Sequence, residues 1–203
     1  MARKHQFPRC TTVCDTWRVA ESLAGKLLVA TPSLADPNFA RSVVFMCAHD
    51  EAGSLGVIVN RPAFELELAE HLPDWAGYAS RPQVLFSGGP VEPTRALALA
   101  RYQQGTLRAL ESDLPHGISL LDLTEPAAEA TSTVDALRVF VGYSGWGAGQ
   151  LEREIGEEAW FVVDAEADDA FTAEPERLWH RVLRRQRGKL AMFAYFPPDP
   201  SLN

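Results

Sequence analysis

A glycine-rich segment constrains this chain more than any other feature of its sequence. Four glycines fall within the eight residues 142–149, between an apolar run at 137–141 and a patterned segment at 151–158. Glycine loses more conformational freedom on folding than other residues, so a glycine cluster marks backbone with positive φ or a close approach by another group. The pattern predicts a strand, a glycine-rich loop over residues 142–150 and a helix. The loop is therefore a candidate functional site.

The glycine-rich loop does not match the known phosphate-binding motifs. A dinucleotide fingerprint read from Gly145 needs glycine where Gln150 stands, and a Walker motif read from Gly142 needs lysine where Ala148 stands. The loop contains no lysine or arginine, and Glu152 in the following helical turn would repel a phosphate. We therefore predict no nucleotide-phosphate site at this loop.

Ser144 stands where a hydrolase motif would place its nucleophile. The motif Gly-x-Ser-x-Gly needs a second glycine at the position that Trp146 occupies. We interpret Ser144 as a turn hydroxyl that satisfies nearby backbone groups. The sequence thus assigns no catalytic residue.

Four stretches of the chain resemble, in the same order, the signature segments of the YqgE/AlgH family. The most specific is the run GYSGWGAGQLEREI at residues 142–155. The others are LLVATPSLADPNF at 27–39 with RSVV at 41–44, GSLGVIVNRP at 53–62, and FSGGPV at 86–91. The resemblance extends from about residue 25 to the last predicted helix.

The resemblance implies an α+β fold with a single domain. It implies a bulged and bent, mostly antiparallel or mixed sheet with flanking helices. It implies no reaction, because the family is uncharacterised and offers no established catalytic residues. Some members are labelled transcriptional regulators, without a recognised DNA-binding motif.

The length and composition are those of one globular domain that needs no disulfide. A chain of 203 residues with 46% hydrophobic and 23% charged residues can bury a sizeable core. We predict a single domain over residues 25–203. The polar, unpatterned residues 1–24 are predicted to be a mobile extension.

The cysteines and histidines predict no disulfide framework, metal site or cofactor. Cys10, Cys14 and Cys47 are an odd number, which argues against a secreted disulfide-bonded protein. A zinc site from these residues and His49 would lack the usual ligand spacing. Neither a signal peptide nor an apolar run approaching the about 18 residues of a membrane span is present. The sequence therefore predicts a soluble, cytoplasmic protein without a membrane partner.

Hydrophobic periodicity and turn residues predict alternating strands and short helices. The segments 42–48 and 55–59 are predicted to form an antiparallel hairpin across a polar turn. The predicted strands cover residues 26–30, 42–48, 55–59, 83–87, 94–101, 118–123, 137–141 and 160–163, and the predicted helices cover 64–72, a short segment starting at 124–126, 151–158 and 172–187.

The helix predicted at 172–187 carries the only concentrated basic surface. Arg177, Arg181, Arg184 and Arg185 lie opposite its apolar face, where we expect solvated side chains. The preceding strand and the acidic loop 164–169 do not supply the partner helix of a helix-turn-helix. Because the net charge is −8, we do not expect specific DNA binding.

Three polar or glycine-rich segments each follow a buried apolar strand, where sheet proteins tend to place ligands. We predict that they converge on one pocket for an unknown small molecule or protein partner. In the competing structural interpretation, the glycines permit sheet bends, Arg61 caps carbonyl groups, and the aromatic residues belong to the core. The candidate ligand-binding residues are Asn60, Arg61, Gly88, Gly89, Gly142, Tyr143, Ser144, Gly145, Trp146, Gly147, Gly149 and Gln150.

A binding or regulatory protein that uses the glycine-rich loop is the function that we favour from sequence. An enzyme of unknown reaction at the same loop is an alternative, and it requires a titratable group with a perturbed pKa facing Ser144 or Asn60. A nucleic-acid-linked transcriptional regulator is the other alternative, and it requires a wider basic patch around the arginine-rich helix. The oligomeric state is not predicted.

Overall fold

A 14-residue strand, β8 (Val134–Gly147), organises the sheet by pairing with three other strands. The computed structural model describes residues 22–196. The other strands are β1 (Lys26–Ala30), β2 (Val43–Asp50), β3 (Gly53–Ile58), β4 (Pro62–Glu67), β5 (Val84–Ser87), β6 (Val91–Tyr102), β7 (Ile118–Leu121) and β9 (Trp160–Asp164). The helices are α1 (Leu68–His71), α2 (Pro73–Ala76), α3 (Leu107–Leu110), α4 (Ala127–Ala130), α5 (Gln150–Gly156), α6 (Leu178–Arg184) and α7 (Lys189–Phe193), with 3-10 turns at Pro115–Gly117 and Pro175–Arg177.

The nine strands form a mixed sheet with the order β4-β5-β8-β3-β2-β1-β9, and β6 pairs with both β7 and β8. The pair β5–β8 is parallel and the remaining recorded pairs are antiparallel. Register shifts interrupt several ladders, including one between Met46 and Ala48. These findings confirm a single α+β domain with a mixed sheet and flanking helices.

The middle strands are buried on both faces, which explains their continuous apolar sequences. Leu27 and Phe45 pack in the same cluster as α6, whereas Leu28 and Val44 pack in the cluster of α5. A third cluster joins the β6–β8 part of the sheet to α1, α2 and α4. Alternate residues of β1 and β2 therefore serve two different cores.

Several predicted elements are confirmed, with shifted boundaries. The hairpin of β2 and β3 is antiparallel, and the segment 94–101 is a strand within β6. The helix predicted at 172–187 is shorter. A 3-10 turn precedes α6, and Gly188, with φ 66°, separates α6 from α7. The helix expected from 124–126 begins after the proline, as α4.

The helix predicted at 64–72 is wrong over its first half. Residues 62–67 form β4, which pairs with β5, and only four residues follow as α1. Leu66 is half-buried while its neighbours Glu65 and Glu67 are exposed, so the acidic residues suit one side of an edge strand. Pairing with β5 outweighed the helix propensity of Glu and Leu, as strand context often does.

Residues Ser22 to Ala24 belong to the domain rather than to the extension predicted for residues 1–24. The Leu23 backbone N–H donates to Nδ1 of His49 at 3.0 Å, and the Ser22 hydroxyl donates to the His49 carbonyl at 3.0 Å. Residues 1–21, with Cys10 and Cys14, lie outside the described residues. Within residues 22–196, every helix is too short or too polar to cross a bilayer.

Candidate functional site

The glycine-rich segment is a strand and not the predicted loop. β8 continues through Gly147, and only Ala148 and Gly149 separate it from α5. The strand pairs with β5 up to Val141 and with β6 up to Tyr143, and from Ser144 onwards it pairs with β3. Gly142 has φ 71°, which only glycine adopts readily, so it lets one strand bend between two parts of the sheet. Gly142 is needed for a bend within the strand. The number of glycines in the segment could not distinguish such a bend from a loop.

Gly88 and Gly89 lie against the bend of β8 and contact its backbone. A Cβ atom at Gly88 would lie 2.3 Å from the Gly142 carbonyl oxygen, and one at Gly89 would lie 2.4 Å from the Tyr143 carbonyl. The Ser144 hydroxyl, which is fully buried, donates to the Gly88 carbonyl at 3.1 Å. The two segments therefore pack backbone against backbone, without room for a side chain between them. The Ser144 hydroxyl satisfies a buried backbone carbonyl.

A hydrogen-bond network explains the most specific part of the sequence signature. One carboxylate oxygen of Glu154 accepts from the indole N–H groups of Trp146 at 2.8 Å and Trp160 at 3.0 Å. Its other oxygen accepts from the Gln150 amide at 3.0 Å, and Gln150 in turn accepts from the Gly147 backbone N–H at 3.1 Å. Both indoles are buried. This network fastens α5 to the end of β8.

The remaining residues of the glycine-rich segment lie at or near the protein surface. Gly145, Gly147 and Gly149 are exposed, and Gly149, with φ 68°, precedes the first residue of α5. Tyr143 is half-buried, and its hydroxyl lies 3.5 Å from a Glu92 carboxylate oxygen.

Asn60 and Arg61 support the turn that precedes β2. The Asn60 amide donates to the Arg41 carbonyl at 2.9 Å and accepts from the Val43 backbone N–H at 2.8 Å. Arg61 donates to the carbonyls of Pro37 at 3.2 Å and Ala40 at 3.1 Å. The interpretation of Arg61 as a carbonyl-capping residue is therefore confirmed.

The supported turn presents Arg41 in an uncommon backbone conformation. Arg41 has φ 58°, in the left-handed region that costs a non-glycine residue roughly 1–2 kcal/mol. Its guanidinium carbon lies 4.2 Å from the centre of the Trp179 ring. The Trp179 indole is 1% exposed and donates to the Ala30 carbonyl at 2.8 Å, so the ring under Arg41 is held in place.

Arg41 and Arg61 line one surface cavity of about 250 Å³, which we call the arginine cleft. Burial lowers the pKa of Arg41, and burial also lowers the pKa of Arg61 while Asp36 opposes that shift. Burial, Arg41 and Arg184 together lower the pKa of His180. The full lining is Ala40, Arg41, Asn60, Arg61, Glu176, Trp179 and His180.

Sequence reasoning singled out Asn60 and Arg61 but missed their partners in the cleft. Arg41 lies within a signature stretch, yet nothing in its sequence context indicates a left-handed backbone. Trp179 and His180 lie on α6 and were interpreted only as parts of an amphipathic helix. Gly88, Gly89 and the glycine-rich segment are not among the residues that line the cleft.

Arg177, Arg181 and Arg184 are exposed, as the sequence predicted, but Arg185 is half-buried. Asp169, which is 2% exposed, accepts from Arg185 at 2.7 and 2.6 Å, and Arg181 lies 3.8 Å away. Arg181 also donates to the Thr172 hydroxyl at 2.9 Å. The segment 164–169 was expected to be solvated, but Asp169 is buried because it neutralises these two arginines.

Cys47 is the one described cysteine and is buried within β2. Burial raises the pKa of its thiol to about 12, so the reactive thiolate is scarce at neutral pH. In a variant with Cys10→Ser and Cys14→Ser, we expect a thiol reagent to modify the protein only after denaturant is added. Stoichiometric labelling of the native variant as fast as that of the unfolded chain would contradict this.

Among residues 22–196, no group of histidine, cysteine and carboxylate side chains has the geometry of a metal site.

Comparison with known sequences agrees with the resemblance. The chain matches a family model described as AlgH-like, DUF179, over residues 27–191. A UPF0301 protein of Streptomyces coelicolor is 52% identical over 186 residues, which cover 90% of this chain and 96% of that protein. A UPF0301 protein of Thermobifida fusca is 48% identical over 191 residues, with coverage of 90% and 96%.

Solved structures share the fold. The crystal structure of a Corynebacterium diphtheriae protein aligns with a TM-score of 0.80 and 29% identity, over 85% of this chain and 92% of that chain. The solution structure of the AlgH protein from Pseudomonas aeruginosa aligns with a TM-score of 0.60 and 27% identity, over 88% and 96%. The sequence match and the shared sheet together establish that this chain belongs to the AlgH-like family.

Proposed function

We propose that this protein is a binding protein, and that a small ligand or the end of a partner segment occupies the arginine cleft. The observation that carries the proposal is the left-handed backbone of Arg41, with φ 58°, at the edge of a cavity. Strained residues persist where the surrounding structure holds them, and they concentrate at ligand clamps and active sites. Asn60 and Arg61 supply that support, because they bind the carbonyls of residues 41, 40 and 37.

The size of the cleft favours a small occupant. Its volume of about 250 Å³ is just below the about 300 to 1,000 Å³ of typical small-molecule sites. The Trp179 ring contributes an apolar wall under Arg41, and Asn60, Arg61 and His180 contribute polar groups. Five of the seven lining residues are polar or charged, so the cleft is more polar than most ligand sites and suits a polar or charged occupant.

The glycine-rich segment has a supporting role in this proposal. The Gly88 carbonyl accepts from the Ile58 backbone N–H at 2.9 Å as well as from Ser144, so the bend of β8 is tied to the end of β3. Asn60 follows that end by two residues. The glycines thus help to fix the strand that presents Asn60 and Arg61, without contacting the ligand.

A thermal-shift screen of small molecules tests the proposal. A ligand present at 100 times its Kd stabilises the folded state by about 2.7 kcal/mol. Arg41→Asn removes the guanidinium but tolerates the left-handed backbone, and His180→Ala removes the imidazole. The matched control is His71→Ala, because His71 is exposed on α1.

We expect compounds that stabilise the wild type to stabilise His71→Ala equally and to lose their effect on Arg41→Asn and His180→Ala. Hits that stabilise all four proteins equally would place the ligand elsewhere. A broad screen without any hit would remove the support for a small-molecule binding function.

Duplex DNA is not the expected partner of α6. Arg181 and Arg185 are already engaged by Asp169, and the net charge of −8 opposes the phosphate contacts that supply most non-specific affinity. We expect no electrophoretic mobility shift with micromolar protein at roughly 0.15 M salt. A shift that disappears when Arg181 and Arg184 are both replaced by glutamine would contradict this expectation.

A further inference from the structure

We infer that the arginine cleft takes an oxyanion, the phosphate or carboxylate group of its ligand, and that His180 gains a proton as the anion enters. The inference rests on the proposed function, because it names the chemical class that the same cleft accepts.

Cationic groups lie on the three structural elements around the cleft, and two of them line it. Arg41 extends from the turn that precedes β2, Arg61 follows β3, and Arg184 lies one helical turn beyond His180 on α6. Two carboxylates oppose them, since Glu176 lines the rim and Asp36 acts on Arg61. Among the described residues that line the cleft, two guanidinium groups stand against one carboxylate, which leaves a net positive charge while His180 is neutral.

The guanidinium groups that line the cleft also carry donors of the kind that bind oxyanions. Both recorded bonds of Arg61 use Nη2, and a guanidinium carries five N–H donors in a planar fork that matches carboxylate and phosphate oxygens. Arg41 lies over the Trp179 ring and donates from Nη2 to the Phe196 carbonyl at 3.1 Å, and these contacts orient its guanidinium before any ligand arrives. A cation positioned in advance loses little side-chain entropy on binding.

His180 links anion binding to pH. Burial lowers its pKa first, and repulsion from Arg41 and Arg184 lowers it further, so the imidazole of the free protein is neutral at neutral pH. An oxyanion beside these cations would offset the repulsion and raise the pKa of His180. Since the bound state then holds more protons than the free state, the affinity for the anion must increase as pH falls through this range.

Nuclear magnetic resonance of the histidine rings tests this inference on the wild-type chain. The His180 ring is titrated between about pH 5 and 8 in sodium chloride, sodium sulfate or sodium succinate at equal ionic strength. Sulfate stands for a phosphate group and succinate for a carboxylate group. The ring of His71, which is exposed on α1, reports any general salt effect.

We expect sulfate, succinate or both to raise the pKa of His180 by about one unit relative to chloride, which corresponds to about tenfold tighter binding of the anion to the protonated form. The ring signals of His71, the control, should be the same in the three salts. A response to sulfate alone assigns a phosphate ligand, and a response to succinate alone assigns a carboxylate. In His180→Gln, the affinity for sulfate, which stays fully ionised in this range, should no longer depend on pH.

Two results separate failure of the inference from failure of the proposed function. If uncharged compounds bind the cleft and lose affinity in Arg41→Asn while neither anion moves the His180 titration, the oxyanion inference is wrong and the binding function stands. If neither anions nor uncharged compounds perturb the His180 or Trp179 signals, both are wrong.

Discussion

Replacing Trp146 with alanine should lower the free energy of unfolding by about 3 to 5 kcal/mol. The side chain is 5% exposed, and its ring packs against Phe39 at 6.1 Å and Trp160 at 6.0 Å between centroids. Truncation would leave a cavity and would also remove one of the donors to the Glu154 carboxylate. Urea denaturation followed by circular dichroism measures the loss.

Two further variants make the Trp146 result specific. Trp146→Phe keeps an aromatic ring but not the N–H group, so we expect a smaller loss than for alanine. Tyr78→Ala is the control for an exposed aromatic residue, because Tyr78 is 45% exposed, and its effect should stay within about 0.5 kcal/mol. If Trp146→Ala lost as little stability as Tyr78→Ala, the claim that Trp146 in the glycine-rich signature stabilises the fold would be wrong.

Replacing Arg138 with methionine should destabilise the protein by at least about 3 kcal/mol, because each buried carbonyl left without a donor costs about 1–3 kcal/mol. Arg138 is 1% exposed and donates to the carbonyls of Ala170, Arg81 and Thr172 at 2.9, 2.7 and 2.9 Å. Its guanidinium carbon lies 4.2 Å from the centre of the Phe86 ring. Burial lowers the pKa of Arg138 to about 9, so the group remains charged at neutral pH.

The matched control for Arg138 is Arg95→Met, since Arg95 is exposed on β6 and pairs only with the nearby Glu92 among its recorded contacts. Surface ion pairs of this kind contribute about 0 to 1 kcal/mol. Thermal or urea unfolding of the two variants at neutral pH provides the comparison. Equal stability of Arg138→Met and Arg95→Met would contradict the role assigned to the buried guanidinium.

Much of the sheet could be predicted from local sequence, because buried strands have a local signal. The continuous apolar runs of β1 and β2 reflect burial on both faces, and the polar turn between β2 and β3 marks their hairpin. The course of β8 could not be predicted this way. Its bend depends on contact with Gly88 and Gly89, which lie more than 50 residues earlier in the chain.

The candidate site was predicted only in part for a similar reason. Asn60 and Arg61 attracted notice because they end an apolar strand, and they do line the cleft. Arg41 depends on a turn whose left-handed backbone has no sequence signal in a non-glycine residue. His180 reaches the cleft because α6 packs across the sheet, which is a tertiary contact that helical periodicity does not report.

Backbone amide shift mapping tests the central claim that the arginine cleft, and not the glycine-rich segment, binds the ligand. The measurement is a titration of ¹⁵N-labelled protein with sulfate, succinate or a compound from the thermal-shift screen. We predict saturable shifts within residues 36–41, 58–61 and 176–184, with residues 88–89 and 142–150 unchanged. Saturable shifts confined to Gly88, Gly89 and residues 142–150, with the cleft unchanged, would contradict the account.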